Sequence, residues 1–334
     1  MKKFSGPKVV IIGGGTGSFT ILKSLKNYTQ DITALVSMVD NGGSTGQLRD
    51  EYGVLPAGDV RQCLVALSNS TTTMRKLFDY RFGEGSMEGH SFGNLFLAAV
   101  EKITDDFGQG VKLASKVLNI TGRVLPITLD NTHLILLDGD KEVIGEHSID
   151  SLVLQSKIKP ELMLRPHAWI NPEAKQAILD ADLVVIAPGS LYESLISSLI
   201  VDGVKETLNE TKAKLVQVVN LVTKPGQTDG WSVADYVNEI ERFTGKDSID
   251  YALYNTSEPN KEMMKQYAHD QEYPVSTKTA KLDNEKNTCK MIGLGLLSFY
   301  EGHQDPNDKL AIERTLIRHD GDKVARQLMK IYYS

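Results

Sequence analysis

The sequence predicts an α/β protein built on a doubly wound, mostly parallel sheet, and three observations carry that expectation. Short β-branched runs end in clusters of glycine and small polar residues, a segment with helical periodicity follows each run, and the same order returns in the second half of the chain. Lys8 to Ile12 is the first such run. It is closed by Gly13, Gly14 and Gly15, and Phe19, Leu22 and Leu25 follow at helical spacing, which opens a βαβ unit. Ile32 to Val39 reads as the second strand and empties into Asp40, Asn41, Gly42, Gly43, Ser44, Thr45 and Gly46.

From Gly58 to Val117 the pattern is helical. Val60, Leu64 and Leu67 share one face, as do Leu95, Ala98, Ala99 and the stem of Lys102, with breaks at Gly83 to Gly89 and near Gly108. Between Val124 and Leu164 the signal turns to alternation. Thr132 to Leu137 and Glu142 to His147 flank an Asp138-Gly-Asp turn, which predicts a β-hairpin inserted between the halves. The parallel pattern resumes with Leu183 to Ile186 before Ala187, Pro188, Gly189 and Ser190, and with Lys214 to Val219 before Asn220. Ser276 to Thr288 is a long polar segment expected to be mobile. The whole reads as one domain over 1–334, with a nucleotide-binding half at 8–123, the hairpin at 124–165 and a half completing the sheet at 166–334.

With 334 residues, 41% of them hydrophobic, the chain can fill a sizeable core without staples. A net charge of −6 offers no broad basic surface, so neither nucleic acid nor a membrane is an expected partner. Cys63 and Cys289 lack CxxC spacing and frame neither a disulfide scaffold nor a zinc site, which fits a reducing compartment. The apolar run Val9 to Ile12 is too short for a signal segment or a span, so a cytoplasmic location is expected.

The loops carry the chemistry. Gly13, Gly14, Gly15, Thr16 and Gly17 stand between strand and helix, where backbone N–H groups can approach a phosphate at a helix N-terminus. The dinucleotide fingerprint is incomplete, because its third glycine would fall on Ser18, and no Walker lysine follows. A tight packing turn is the competing reading. Asp40 stands where an acid meets a ribose in dinucleotide-binding folds, but it runs directly into Asn41 to Gly46, a second nest of amides with the Ser44 and Thr45 hydroxyls and Arg49 nearby; an ordinary capped turn competes. Asp59 either caps the helix after Gly58 or points into the cleft, and Arg61 either pairs with Asp59 or meets an anion. His90 and Asn94 precede a further helix, as ligand contacts or as structural hydrogen-bonders. If all strands are parallel, Pro188, Gly189 and Ser190 face the same crevice. Asn220 and Thr223 either read a base or sugar or only shape a turn, Tyr267 reads as a stacking ring or as core, and Arg318 as a diphosphate fork or a solvated charge.

The signatures Val9 to Gly17, Asp40 to Gly46, Pro56 to Ser68, Gly89 to Ala98, Ala181 to Tyr192 and Asn220 to Gly230 resemble the gluconeogenesis-factor (YvcK-type) branch of the CofD-like family, whose other branch contains 2-phospho-L-lactate transferase. The resemblance implies a Rossmann-like core, homodimers, binding of nucleotide sugars such as UDP-N-acetylglucosamine, and a role in cell shape and growth on gluconeogenic carbon. Tyr267 and Arg318 match positions this branch uses for the UDP-sugar. One departure is chemical: the family commonly places two acids after the second strand, and here Asp40 is followed by Asn41. That weakens a paired-carboxylate metal site, leaving Asp40 and Asp59 to hold Mg²⁺ through waters and to be the catalytic candidates. The reading favoured is a ligand-sensing regulator with no required cofactor, read by cell-wall synthesis proteins. The alternatives are a Mg²⁺-dependent transferase using a diphosphate-linked nucleotide donor and a protein binding an NAD-like nucleotide.

Overall fold

In the computed structural model, which describes residues 6–156, 158–278, 288–298 and 317–334, strands and helices alternate as the loop pattern predicts. The first half runs β1 (Val9–Ile12), α1 (Gly15–Leu25), β2 (Ile32–Val36), α2 (Gly43–Tyr52), α3 (Gly58–Leu67), α4 (Thr72–Asp79), α5 (Phe92–Thr104), α6 (Phe107–Val117) and β3 (Arg123–Pro126). An inserted unit follows: β4 (His133–Asp138), β5 (Lys141–Ile144), α7 (Glu146–Asp150) and β6 (Glu161–Arg165). The second half runs α8 (Pro172–Leu179), β7 (Leu183–Ile186), a π-helical turn Leu191–Ile196 continued by α9 (Ser197–Leu199), α10 (Val204–Glu210), β8 (Lys214–Val218), α11 (Val233–Thr244), β9 (Tyr251–Asn255), α12 (Lys261–His269), β10 (Lys290–Leu294) and α13 (Gly321–Tyr333).

Seven strands form one sheet in the order β3-β2-β1-β7-β8-β9-β10, and every neighbouring pair is parallel. All four residues of β1 and of β7 are buried, as expected of central strands covered by helices on both faces. Alternation divides them between two cores. Val9 and Ile11 join the layer of α1, α3 and α13, while Val10 and Ile12 join that of α8, α10 and α11.

Several local expectations change. The second strand ends at Val36 rather than Val39. Arg123–Pro126 pairs with β2 in the main sheet, so the inserted unit begins beyond Pro126. That unit is three-stranded, not a bare hairpin: β5 and β6 flank β4, both antiparallel to it. Its second strand stops at Ile144 because Gly145, at φ +91°, turns the chain into α7. On α5 the buried residues include Asn94, Leu97, Ala98 and Val100, whereas Ala99 and Lys102 are exposed, because the helix packs on α4 and α6 rather than along the face read from Leu95. Gly108 lies inside α6, and the break falls at Asp105 and Asp106. Most of the polar segment Ser276 to Thr288 lies outside the described residues. Among the described residues no helix is long and apolar enough to cross a membrane, and Cys63 and Cys289 are unbridged and buried.

Ile11, fully buried at the sheet centre, and Ile158, 75% exposed, form a contrast. Ile11→Ala is expected to cost about 2–5 kcal/mol and Ile158→Ala within about 0.5 kcal/mol, measured by urea unfolding.

Candidate functional site: a cleft of uncapped helix N-termini

Because the strands are parallel, the loops after β1, β2, β7 and β8 leave the sheet at one edge. The chain moves to one side of β1 with β2 and to the other with β7, so the first loop stands at the switch point where open α/β sheets bind ligands. Backbone packing there is tight enough to demand glycine. A Cβ on Gly17 would lie 1.8 Å from the Pro188 carbonyl oxygen, so Gly13 to Gly17 and Pro188 to Ser190 form one joined rim. A Cβ on Gly14 would lie 1.6 Å from an Asp59 carboxyl oxygen, which brings the start of α3 onto the same rim. Asn220 locks that rim from β8: its amide donates to the Gly189 carbonyl at 2.8 Å and accepts from the Gly189 N–H at 3.2 Å.

The helix starts are divided by their caps. Among described α-helices of eight residues or more, α4, α5, α6, α8, α11, α12 and α13 each have a side chain at the N-cap accepting a backbone N–H, from Thr71, Ser91, Asp106, Asn171, Ser232, Asn260 and Asp320. Only α1, α2 and α3 lack one, with Gly14, Gly42 and Ala57 at the N-cap. These are the helices that follow the two Gly-rich loops and that begin against Asp59. No N-cap side chain meets their first turns, where the partial positive charge of the helix dipole is greatest, although the Gly15 N–H of α1 faces the Asp59 carboxyl.

A hydrogen-bond chain holds the second loop. Ser44 and Thr45 are buried in the first turn of α2; His90 Nδ1 lies 3.1 Å from Ser44 Oγ, and Asn94 donates to Thr45 Oγ1 at 3.3 Å. Arg61 Nε donates to Asn94 Oδ1 at 3.1 Å, and its guanidinium pairs with Asp79. Arg61 is therefore a buried brace behind the loop, paired with neither Asp59 nor an open anion seat. Arg49 is likewise turned away, donating to Asn131 and to the Thr132 carbonyl. Thr16 is exposed in the first turn of α1, and Gly42 donates its N–H to Asp40 at 2.8 Å, a local turn.

The cleft also holds acids that no motif announces. Glu146, the first residue of α7, hydrogen-bonds Asp40 carboxyl to carboxyl, and burial together with Asp40, Asp59 and Glu193 pushes it well above the usual carboxylate range. Burial and Asp40 push Asp59 up to about 7, opposed by the Gly15 N–H that it accepts and by Arg61. Glu193, 1% exposed on the π-helical turn, pairs with Lys224 at 2.6 Å, and Lys224 also pairs with Asp150 of α7. Asn41 reaches into the inserted unit, accepting the His147 N–H at 3.0 Å. Among the described residues no group of three His, Cys, Asp or Glu is placed to hold a metal by itself.

At the C-terminal side Tyr267 is 5% exposed and packs with the core; its hydroxyl accepts the Ile317 N–H at 2.7 Å and thereby fixes the backbone beside Arg318. Arg318 is exposed. The next residue, His319, is buried and meets the Val219 carbonyl at 3.1 Å, one residue before Asn220, and its burial pushes it down to about 4. Thr223 engages Tyr273 and shapes a turn.

Asp59 holds its proton more tightly folded than unfolded, so its contribution is complete below the ordinary carboxylate range and is lost as pH rises towards about 7. Asp59→Asn is expected to raise the Tm at pH 8 more than at pH 4, flattening the decline seen by calorimetry in the unliganded protein.

Comparison with known proteins agrees with this fold. The family model described as 2-phospho-L-lactate transferase CofD matches residues 9–294. The gluconeogenesis factor of Listeria innocua is 36% identical over 331 residues, covering 98% of this chain and 97% of that protein; that of Halalkalibacterium halodurans is 36% identical, covering 96% and 95%. The crystal structure of a Bacillus halodurans protein superposes with a TM-score of 0.88 at 34% identity, covering 97% of this chain and all of that one. A second crystal structure, titled as a UPF0052 family member from the same organism, gives a TM-score of 0.85. With its parallel sheet, its paired Gly-rich loops and relatives matched from end to end, the chain belongs to the CofD family, among the proteins named gluconeogenesis factors.

Proposed function

We propose that the cleft binds the diphosphate of a nucleotide sugar, UDP-N-acetylglucosamine, and that the protein is a regulator whose occupied state is read by cell-wall synthesis proteins. One observation carries the binding step: the three long helices without side-chain caps are those that begin at the switch-point cleft. Each first turn can donate N–H groups to phosphate oxygens, and Arg318, beside the backbone that Tyr267 fixes, is the cation assigned to the nucleotide by resemblance. Regulation has a physical route. The inserted unit touches the cleft through Glu146 and Asn41, so a ligand seated there changes the free energy of that contact. A homodimer in the cytoplasm is the form proposed to present this state.

The transferase reading is favoured by a specific observation as well. Glu146 supplies beside Asp40 the second carboxyl that Asn41 fails to provide. Asp40 and Glu146 offer the oxygen donors a Mg²⁺ ion takes, the rest of its shell being left to diphosphate oxygens and water. Such an ion would offset charge on the donor diphosphate during transfer. An NAD-like nucleotide is third, because the fingerprint is incomplete and no hydride partner is evident.

Calorimetric titration with UDP-N-acetylglucosamine, NAD and GDP, without and with Mg²⁺, separates these readings when followed by assay of the recovered ligand. The regulatory reading expects UDP-N-acetylglucosamine to bind, to be recovered intact, and to bind at least about tenfold more weakly to Arg318→Ala. Consumption of the sugar nucleotide, or binding of GDP alone with Mg²⁺, would replace it with the transferase.

A further inference from the structure

We infer that Glu146, delivered by the inserted unit, contacts the ligand and with Asp40 holds the ribose hydroxyls of the nucleotide, and that Asn41 is its positioning residue. The inference rests on the diphosphate reading of the cleft and adds to it the residue that recognises the part of the ligand that carries no charge.

The geometry divides the cleft by chemistry. The starts of α1, α2 and α3 present donors suited to phosphate. Beyond them, Asp40 and Glu146 present paired carboxyl oxygens, which repel a phosphate but accept from hydroxyls. Asp40 follows β2, where dinucleotide-binding folds place the acid that takes a ribose hydroxyl. Two neighbouring carboxyl groups offer several acceptor oxygens side by side, matching the two hydroxyl donors of a vicinal diol.

Glu146 is held in place from several sides. Asn41 accepts the His147 N–H at 3.0 Å. The Asn41 amide occupies the space that a side chain at residue 145 would take: a Cβ on Gly145 would lie 2.3 Å from Asn41 Nδ2. The Gly145 N–H is tied to the Leu134 carbonyl on β4 at 2.8 Å. At the other end of α7, Gln227 donates to the Ile149 carbonyl at 2.8 Å, and Lys224 links Asp150 to Glu193. One oxygen of Glu193 is buried with no hydrogen-bond partner, an independent sign that this side of the cleft is built to meet a donor. Asn41, the departure from the family's paired acids, thus serves to seat an acid that arrives from elsewhere in the chain.

The test is calorimetric titration of the full chain with UDP, 2′-deoxy-UDP and pyrophosphate, for wild type, Glu146→Ala, Asn41→Ala and Asn41→Asp, each checked for an unchanged circular dichroism spectrum. Glu146→Ala is expected to weaken UDP by about tenfold or more, to change 2′-deoxy-UDP by much less, and to leave pyrophosphate within about twofold, because pyrophosphate has no ribose hydroxyl to lose. Asn41→Ala should weaken UDP in the same selective way. Asn41→Asp should restore binding, since its carboxylate also accepts the His147 N–H. Equal losses for UDP and 2′-deoxy-UDP, no loss for UDP, an effect confined to the sugar of UDP-N-acetylglucosamine, or a loss that appears only with Mg²⁺ would each overturn the assignment. If wild type binds neither UDP nor pyrophosphate, the diphosphate reading fails and the assignment falls with it.

Discussion

A common strand direction is the constraint on which the rest of this structure depends. With seven parallel strands, each crossover must return the chain to the same starting edge, so the loops that follow the strands gather at the opposite one. β1 lies between β2 and β7, and its loop is pressed against the loop after β7 until only glycine fits at residue 17. Segments about 170 residues apart thereby become one rim. The hydrophobic strands earn this arrangement through burial on both faces, and the binding geometry follows from their order.

That rim combines opposed electrostatic features. Helix starts without side-chain caps favour an anion, each by about 0.3–1 kcal/mol when exposed and more when partly buried. Asp40, Asp59 and Glu146 oppose one, and their mutual repulsion and burial raise Glu146 and Asp59 above the usual carboxylate range, Asp59 to about 7. Asp59 even accepts the Gly15 N–H, an internal carboxyl at the type of donor that a phosphate oxygen would use. A ligand that is anionic at one end and rich in hydroxyls at the other satisfies both features, as does an anion that brings its own divalent cation. The same arrangement is chemically compatible with binding alone and with transfer.

The inserted unit supplies one wall of the cleft. Its own sheet is separate from the seven-stranded one, yet α7 is tied to the β2 loop through Asn41 and to the π-helical turn through Lys224 and Glu193. Any ligand that alters the charge around Asp40 and Glu146 alters that attachment. π-Helical turns are rare and frequent at functional sites, and this one places the buried Glu193 beside α7.

Much of the molecule was legible from local pattern. Strand, glycine loop and helix at Val9 to Leu25, the loop at Asp40 to Gly46, the turn at Gly139 and the later strands need only β-branched runs, helical spacing and the backbone freedom of glycine, which are properties of neighbouring residues. Other features were not legible, because they were settled by partners far away in sequence. Arg61 is taken by Asp79 and Asn94 instead of Asp59, Tyr267 is drawn into the core, and Arg123–Pro126 completes the main sheet because β2 offered a free edge. Glu146 carries no motif at all, and its helix is brought to the cleft by contacts far away in sequence, among them an Asn41 contact spanning 106 residues. The sequence by itself determined the elements and the loops between them, since these follow from periodicity and backbone sterics. Only the tertiary structure decided which charges meet in the cleft, since that depends on the burial of the whole chain at once.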